Sequence, residues 1–343
     1  MTKVAGLMSA KNEPHFDARW EFITPAVAQS YLPKNIKNRS LSKDTARYKY
    51  GEDMAHGRWK PNPNAGISFS AAGDLQDGQH RLEGVIYAET VNPDFKGVWM
   101  MVHRGVPEEV RAVIDIGRAR SCGDVLTMEG HPHGGLAAAA ANIILNYLDG
   151  SPITGIRSKA EKNEFCLKNP ALFRYATLAA ATGKAALHSA MAAVLFLGTR
   201  ADPEGLEDLA EAFARGIATS DGLRYGDPRL ALRGYILNSR SGKKLDRIKA
   251  ISATVTGWNA FLMNRTDLTA IRVQPDVKGR YPISPIMGGP EPGSVGNDDD
   301  YNAKLAEASI PPKARTLIEQ RLNMLAKEQR AAEREAEAEA PAA

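Results

Sequence analysis

Cysteine is almost absent from this chain: two in 343 residues, Cys122 and Cys166, far apart and without Cys-x-x-Cys spacing. That excludes a disulfide scaffold and a zinc ribbon, and fits a reducing compartment. Long apolar runs are missing too. The most apolar stretch, AALHSAMAAVLFLG at 185–198, carries His188 and falls short of the roughly 20 residues that span a bilayer. It predicts a buried core helix. The opening MTKVAGLMSAKNEPHFD has a short apolar patch broken by Ser9 and Lys11, unlike the longer apolar core of a signal peptide. Net charge is small, +4, so any argument about nucleic acid has to rest on local charge. These absences predict a soluble cytoplasmic protein with no membrane partner.

What is present divides the chain. Residues 1–20 read as a flexible N-terminus. From 21 to about 130, helical and extended signals alternate. ITPAVAQSYL offers Thr24 as N-cap with Pro25 at the first helical position. LSKDTARYKYGEDMAHG reads as a helix stopped by Gly57, and GISFSAAGDLQDG as two extended pieces hinged at Ala72-Gly73. RLEGVIYAET returns to helical spacing, GVWMMVHRGV is a nearly continuous apolar strand, and PEEVRAVIDIG is helical again. The expected fold class is α+β: a small mixed domain followed by an all-α helical domain over 131–275. Helices are predicted over 134–148, 160–168, 171–182, 185–198, 204–218, 228–238 and 244–264. The Pro-, Gly- and Asp-rich segment 276–311 reads as a linker. A helix from 312, keeping Leu317, Leu322 and Leu325, leads into a solvated or disordered tail to 343.

The densest chemistry lies in Asp77-Gly78-Gln79-His80-Arg81, between a strand and a helix. The first N–H groups of a helix carry partial positive charge and attract anions. Gly78 permits a positive φ and close approach. Arg81 offers a fork of donors suited to phosphate oxygens, and His80 can donate or move a proton near neutral pH. Asp77 repels an anion unless it binds Mg²⁺ or deprotonates a hydroxyl. The structural alternative is a plain Asp-Gly turn, with Arg81 paired to Glu83, Asp77 or Glu89.

DGQHRL, after a short strand and opening a helix, resembles the signature turn of the ParB/sulfiredoxin fold, especially the DGQHR variety of DndB-like and phage ParB-like proteins. NRSLSKDTARYKYGEDMAHGRWKPN before it and IDIGRARSCGDVL after it resemble flanking blocks of the phage group, so the resemblance covers about 21–127. It implies a ParB/sulfiredoxin-like domain that binds a nucleoside triphosphate or another phosphorylated ligand. Such a protein would hydrolyse or transfer phosphate with Mg²⁺, as an NTPase or phosphotransferase of DNA or nucleotide metabolism, in the host cytoplasm if phage-encoded. Carried across, Gly78, Gln79, His80 and Arg81 would cradle phosphates. Asp77 or Glu83 would supply the acid, with His80 as a further catalytic candidate and Asp77 the candidate metal ligand. The catalytic cysteine of sulfiredoxins is replaced here by Gln79, so that chemistry is not expected. Chromosome segregation is not expected either: the turn is poorer in arginine and glutamate than that of the segregation proteins.

Other candidates accompany the turn. Arg39, after Asn38, could reach the same phosphates or be a solvated loop residue. Asp115, Arg118, Arg120 and Ser121 form a second polar turn in which Arg120 and Ser121 could bind an anion or simply cap a helix. His103-Arg104 closes a strand, where pockets often form. His131 and His133 with Glu129 are loosely spaced for a metal and read as a loop. Between Arg229 and Arg272 nine Lys or Arg (229, 233, 240, 243, 244, 247, 249, 265, 272) face only Asp246 and Asp267, a local charge of +7. Arg240, Lys243, Lys244, Arg247 and Lys249 could contact DNA phosphates; a solvated face is the alternative. The rival to an enzyme is therefore a non-enzymatic DNA-binding regulator or accessory protein.

Overall fold

The computed structural model describes residues 17–35, 43–107, 121–240, 245–279, 281–293 and 300–339. The chain divides into two compact units: Met1–Ala119 with Arg157–Glu161, and Arg120–Ile156 with Lys162–Ala343. The first is α+β and the second is built of helices.

In unit 1, β1 (Asp17–Ile23) leads into α1 (Pro25–Tyr31), capped by Thr24 Oγ1, which accepts from Val27 N–H at 3.2 Å. A 3₁₀ turn follows at Leu32–Lys34. Next, α2 (Lys43–Ala46) continues through a π-type segment, Arg47–Gly51, into α3 (Glu52–Ala55). The expected pair of extended pieces forms β2 (Ile67–Ser70) and β3 (Leu75–Asp77). They are followed by α4 (Gln79–Val91) and β4 (Val98–Val106). The sheet order is β1-β4-β2-β3, with β4 antiparallel to β1 and parallel to β2.

One sheet face is covered. Ile23, Ile67, Phe69, Leu75, Val98, Met100 and Val102 meet Leu82, Val85 and Ala88 of α4 in a single buried cluster. Helix α4 crosses the α2–α3 stretch closely: a Cβ on Gly84 would lie 2.8 Å from Tyr50 Cβ. A larger residue there would force the helices apart. Ser158, from the segment that groups with unit 1, donates to buried Asp53 at 2.5 Å.

Strand β1 was not expected from the sequence. Residues 17–20, expected to be flexible, pair with β4 from Asp17↔Arg104 to Trp20↔Met101. Strand pairing satisfies backbone groups irrespective of side-chain polarity, which is why a half-charged segment is ordered.

Unit 2 follows the predicted helices closely: α5 (Cys122–Met128), α6 (Gly134–Leu148), α7 (Lys159–Lys168, its first residues grouping with unit 1), α8 (Ala171–Ala181) and α9 (His188–Gly198). Then come α10 (Glu207–Thr219), α11 (Pro228–Arg240), α12 (Arg247–Leu262), α13 (Tyr301–Ala306) and α14 (Pro312–Glu339). Every residue of α9 from Ser189 to Gly198 is buried, as its uniformly apolar sequence requires. Among the described residues no helix is long and apolar enough to cross a membrane.

The expected linker at 276–311 is corrected. Ile286 is buried, its N–H donates to Tyr147 Oη at 2.9 Å, and that hydroxyl donates to the Pro290 carbonyl at 3.0 Å. Asn259 accepts from Met287 N–H, and Trp258 Nε1 donates to the Met287 carbonyl. Proline and glycine prevent regular structure here, but core side chains satisfy the strap's backbone and hold it in place. Within the same stretch α13 is helical.

Candidate functional site

The turn after β3 is set by one backbone angle. Gly78 has φ +103°, and a Cβ there would lie 3.1 Å from Ile67 Cα, so a side chain would be both backbone-strained and crowded. The chain reverses into α4, where Arg81 N–H and Leu82 N–H both reach the Gly78 carbonyl. As a glycine at the cap position, Gly78 offers no side-chain acceptor, and the first turn holds no acidic residue. The positive end of a 13-residue helix is therefore not neutralised by its own sequence.

Arg81 turns inward. It is 8% exposed, and Nη2 donates to Asp77 Oδ2 at 2.5 Å and to the Gly66 carbonyl at 2.6 Å. In this arrangement it braces the turn, pinning its start to the segment before β2, instead of standing over a ligand. Its Nε is buried without an acceptor among the described residues. The pairing answers the puzzle of an acid beside an anion site, because Asp77 neutralises the buried guanidinium. His80 and Glu83 are half-buried on the same helix. Glu83 enters no ion pair with a described residue, so of the two carboxylates it is the uncommitted one. Gln79 is buried and accepts from Asn35 Nδ2 at 2.6 Å, tying the turn to the chain that follows α1.

Across the sheet, Asp77 pairs with Ser68 and Ser68 with His103, a row of three polar residues on neighbouring strands. A Cβ on Gly66 would meet the His103 ring at 3.1 Å, which sets the imidazole beside the carbonyl that Arg81 grips.

A second polar cluster lies at the far ends of β2 and β4. Arg104 makes a two-pronged contact with Glu21, its Nη2 also donating to Tyr31 Oη at 2.9 Å, and Tyr31 Oη donates to Glu21 at 3.0 Å. Lys34 Nζ sits 5.4 Å from the ring centroids of Tyr31 and Phe69. Of these, Lys34, Phe69 and Arg104 border a cleft of about 300 Å³ with Ser70 and Gly73. Strand ends in parallel pairs are where such clefts form. Burial works to raise the Glu21 pKa, but the hydrogen bonds from Arg104, Arg19 and Tyr31 outweigh it and bring the carboxyl to about 2. Burial and Glu21 itself push the Tyr31 hydroxyl up.

Because the Glu21 pKa is depressed from 4.5 to about 2, its stabilisation is fully present above the ordinary value. It is lost as the pH falls from 4.5 toward about 2. Solvent at the rim screens part of this, leaving on the order of 2 kcal/mol. Glu21→Gln is expected to lower stability at neutral pH and flatten the acid limb of a denaturation series. An unchanged acid limb would remove the cluster's role.

No family model, curated protein or solved structure matches this chain.

Asp77, Gly78, Gln79, His80, Arg81 and Glu83 follow one another from the end of β3 into the first turns of α4 in unit 1, with Gln79 turned to Asn35 and Arg81 to Asp77 and Gly66. Arg39, Asp115, Arg118, Arg120, Lys243 and Lys244 lie outside the described residues. Ser121, in unit 2, is spent on a capping box with Asp124, accepting at 3.1 Å and donating its N–H at 2.7 Å. His131 stacks on Phe173 at 4.3 Å, and among the described residues no group of three His, Cys, Asp or Glu could hold a metal.

Much of the basic run is engaged within unit 2. Arg229 is buried against Asp227, Arg233 donates to the last carbonyls of α10, and Arg240 donates to the Ala186 carbonyl at 2.8 Å. Arg265 pairs with Asp267, and Lys249 lies over the Tyr281 ring at 4.7 Å. Arg247, at the start of α12, is exposed. Sequence reasoning passed over Glu21, Tyr31 and Lys34; an acid inside an otherwise strand-like segment was the available signal.

Proposed function

We propose that unit 1 is a nucleotide-binding module that holds the phosphates of a nucleoside triphosphate at the start of α4 and hydrolyses or transfers phosphate. The observation that supports this most directly is the Gly78-opened helix, with no acid in its first turn and Arg81 buried beneath it. The likeness of DGQHRL to the ParB/sulfiredoxin turn points the same way. Backbone amides at Gln79 and His80 would face the phosphates, and His80 would donate to them. Arg81 is a positioning residue, because its contacts run to Asp77 and Gly66.

Glu83 is the carboxylate with freedom to accept a proton or orient the attacking hydroxyl. Mg²⁺ is commonly held by one or two carboxylates together with substrate phosphates. Glu83 would supply such a carboxylate, and Asp77 would join it only by releasing Arg81. The ion would neutralise charge on the transferred phosphoryl group. The rival DNA-binding regulator draws on the basic residues of unit 2, and the internal contacts of Arg229, Arg233, Arg240 and Arg265 leave it less charge to use.

The test offers the full chain a panel of nucleoside triphosphates with Mg²⁺, following binding by calorimetry and phosphate release. His80→Ala is expected to weaken binding about tenfold. Glu83→Gln should retain binding and slow release by about 10²-fold or more. Failure of every nucleotide to bind would end this reading.

A further inference from the structure

The covered face of the sheet holds the core; among the described residues the opposite face carries exposed side chains, and its composition is unusual. In the β1–β4 register, Phe22 lies opposite Trp99, Trp20 opposite Met101 and Ala18 opposite His103. Their neighbours Ile23, Met100 and Val102 point the other way into the core. Trp20, Phe22 and Trp99 are 43%, 40% and 52% exposed. Large aromatic rings left in water on adjacent strands mark a binding surface, since scattered single apolar residues are the norm. Phe22 and Trp99 meet edge-on, centroids 5.5 Å apart. Trp20 and Phe22, two residues apart on one strand, are spaced by about 7 Å.

The strands themselves place little negative charge beside these rings, and the exposed carboxylate at the Trp99 end is Asp94, two residues before Lys96. Neither β1 nor β4 places a carboxylate on this face; Asp17 and Glu21 alternate onto the other side with Arg104 and Met100. On the neighbouring strands Asp77 lies on this face in register with Ser68 and His103, paired with Arg81. Lysines stand at the Trp99 end. Lys96 precedes that strand, and Lys60 follows Trp59, whose Nε1 donates to the Trp99 carbonyl at 3.2 Å. Both lysines are exposed and neither pairs with a described carboxylate. Farther along the same face, Ser68 and His103 present hydrogen-bonding groups.

From this we infer that the aromatic face of the sheet binds single-stranded nucleic acid, with bases stacked on Trp20, Phe22 and Trp99 and the backbone drawn by Lys60 and Lys96. Stacking platforms on open four-stranded sheets, rimmed by cations, take unpaired bases because every base has a flat π-face. A duplex hides those faces. The surface does not depend on the α4 phosphate reading, since an internal nucleotide needs no terminal phosphate.

The experiment uses the full chain and fluorescein-labelled oligo-dT with a 5′-hydroxyl end, followed by anisotropy, beside a duplex of the same length. Single-stranded binding is expected to fall about tenfold for Trp99→Ala and again for the Trp20→Ala, Trp99→Ala pair. Trp99→Phe should restore most of it, and affinity should drop with salt. Circular dichroism and melting temperature should stay unchanged, because these rings support little of the core. The inference is overturned if oligo-dT does not bind, if the variants bind as well as the parent, or if duplex binds equally. It is also overturned if the variants change the oligomeric state, which would make the face a contact between copies. Nucleotide titrations with His80→Ala run separately, so either reading can fail without the other.

Discussion

Arg81→Ala is expected to destabilise unit 1 by about 3 kcal/mol, because breaking a buried pair strands the partner charge. Here two acceptors are stranded together, the Asp77 carboxylate and the Gly66 carbonyl. Asp77 is partly open to solvent, so water recovers some of its loss, whereas Arg81 is enclosed. Asp77→Asn alone should cost less than Arg81→Ala. The double variant should fall short of the sum of the singles, as coupled neighbours do. Urea denaturation followed by tryptophan fluorescence reports chiefly on unit 1, which holds Trp20, Trp59 and Trp99 against Trp258 in unit 2. Strict additivity, or an unchanged midpoint for Arg81→Ala, would show that the brace carries no stability. Arg81→Lys should recover part of the loss, because an ammonium keeps the charge without the planar fork.

Trp258→Ala is expected to cost unit 2 about 4 kcal/mol. The ring is fully buried and meets Phe213 edge-on at 5.3 Å, with Phe261 beside it at 6.2 Å. Its Nε1 also supplies the donor for the Met287 carbonyl. The substitution should therefore loosen the 281–290 strap as well as open a cavity. Far-UV circular dichroism against urea would give the stability change, and limited proteolysis would show the strap becoming cleavable. Trp258→Phe should keep most of the packing and lose the donor. A strap as resistant in both variants as in the parent would refute the link between indole and strap.

What could be read in advance follows from the range over which each feature is determined. The strand–glycine–helix turn at Leu75–Gln79 was legible because alternation, an Asp-Gly pair and helical spacing are all local. The helices of unit 2 were legible for the same reason, within a few residues at their ends. Strand β1 was not: its aromatic residues face solvent and Glu21 sits on the covered side, the reverse of the usual polarity. The partner that makes this tolerable, Arg104, lies 83 residues away. The inward turn of Arg81 likewise depends on the Gly66 carbonyl, 15 residues upstream. The basic run between Arg229 and Arg272 looked like a stripe because the carbonyls that absorb Arg233 and Arg240 belong to α10 and to Ala186, two residues before α9. Proline and glycine in 276–311 correctly excluded helix over most of the segment. They carried no information about whether distant side chains would fasten it.

The strand order has a consequence for biosynthesis. Because β4 stands between β1 and β2, the polypeptide emerging from the ribosome has no sheet to build until Val106 has left the exit tunnel. Before then β2 and β3 can form only a short hairpin, and β1, the first strand translated, waits for its neighbour longest. Nascent chains arrested before β4 should accordingly stay protease-sensitive throughout unit 1, and protection should arrive in a single step once that strand is released.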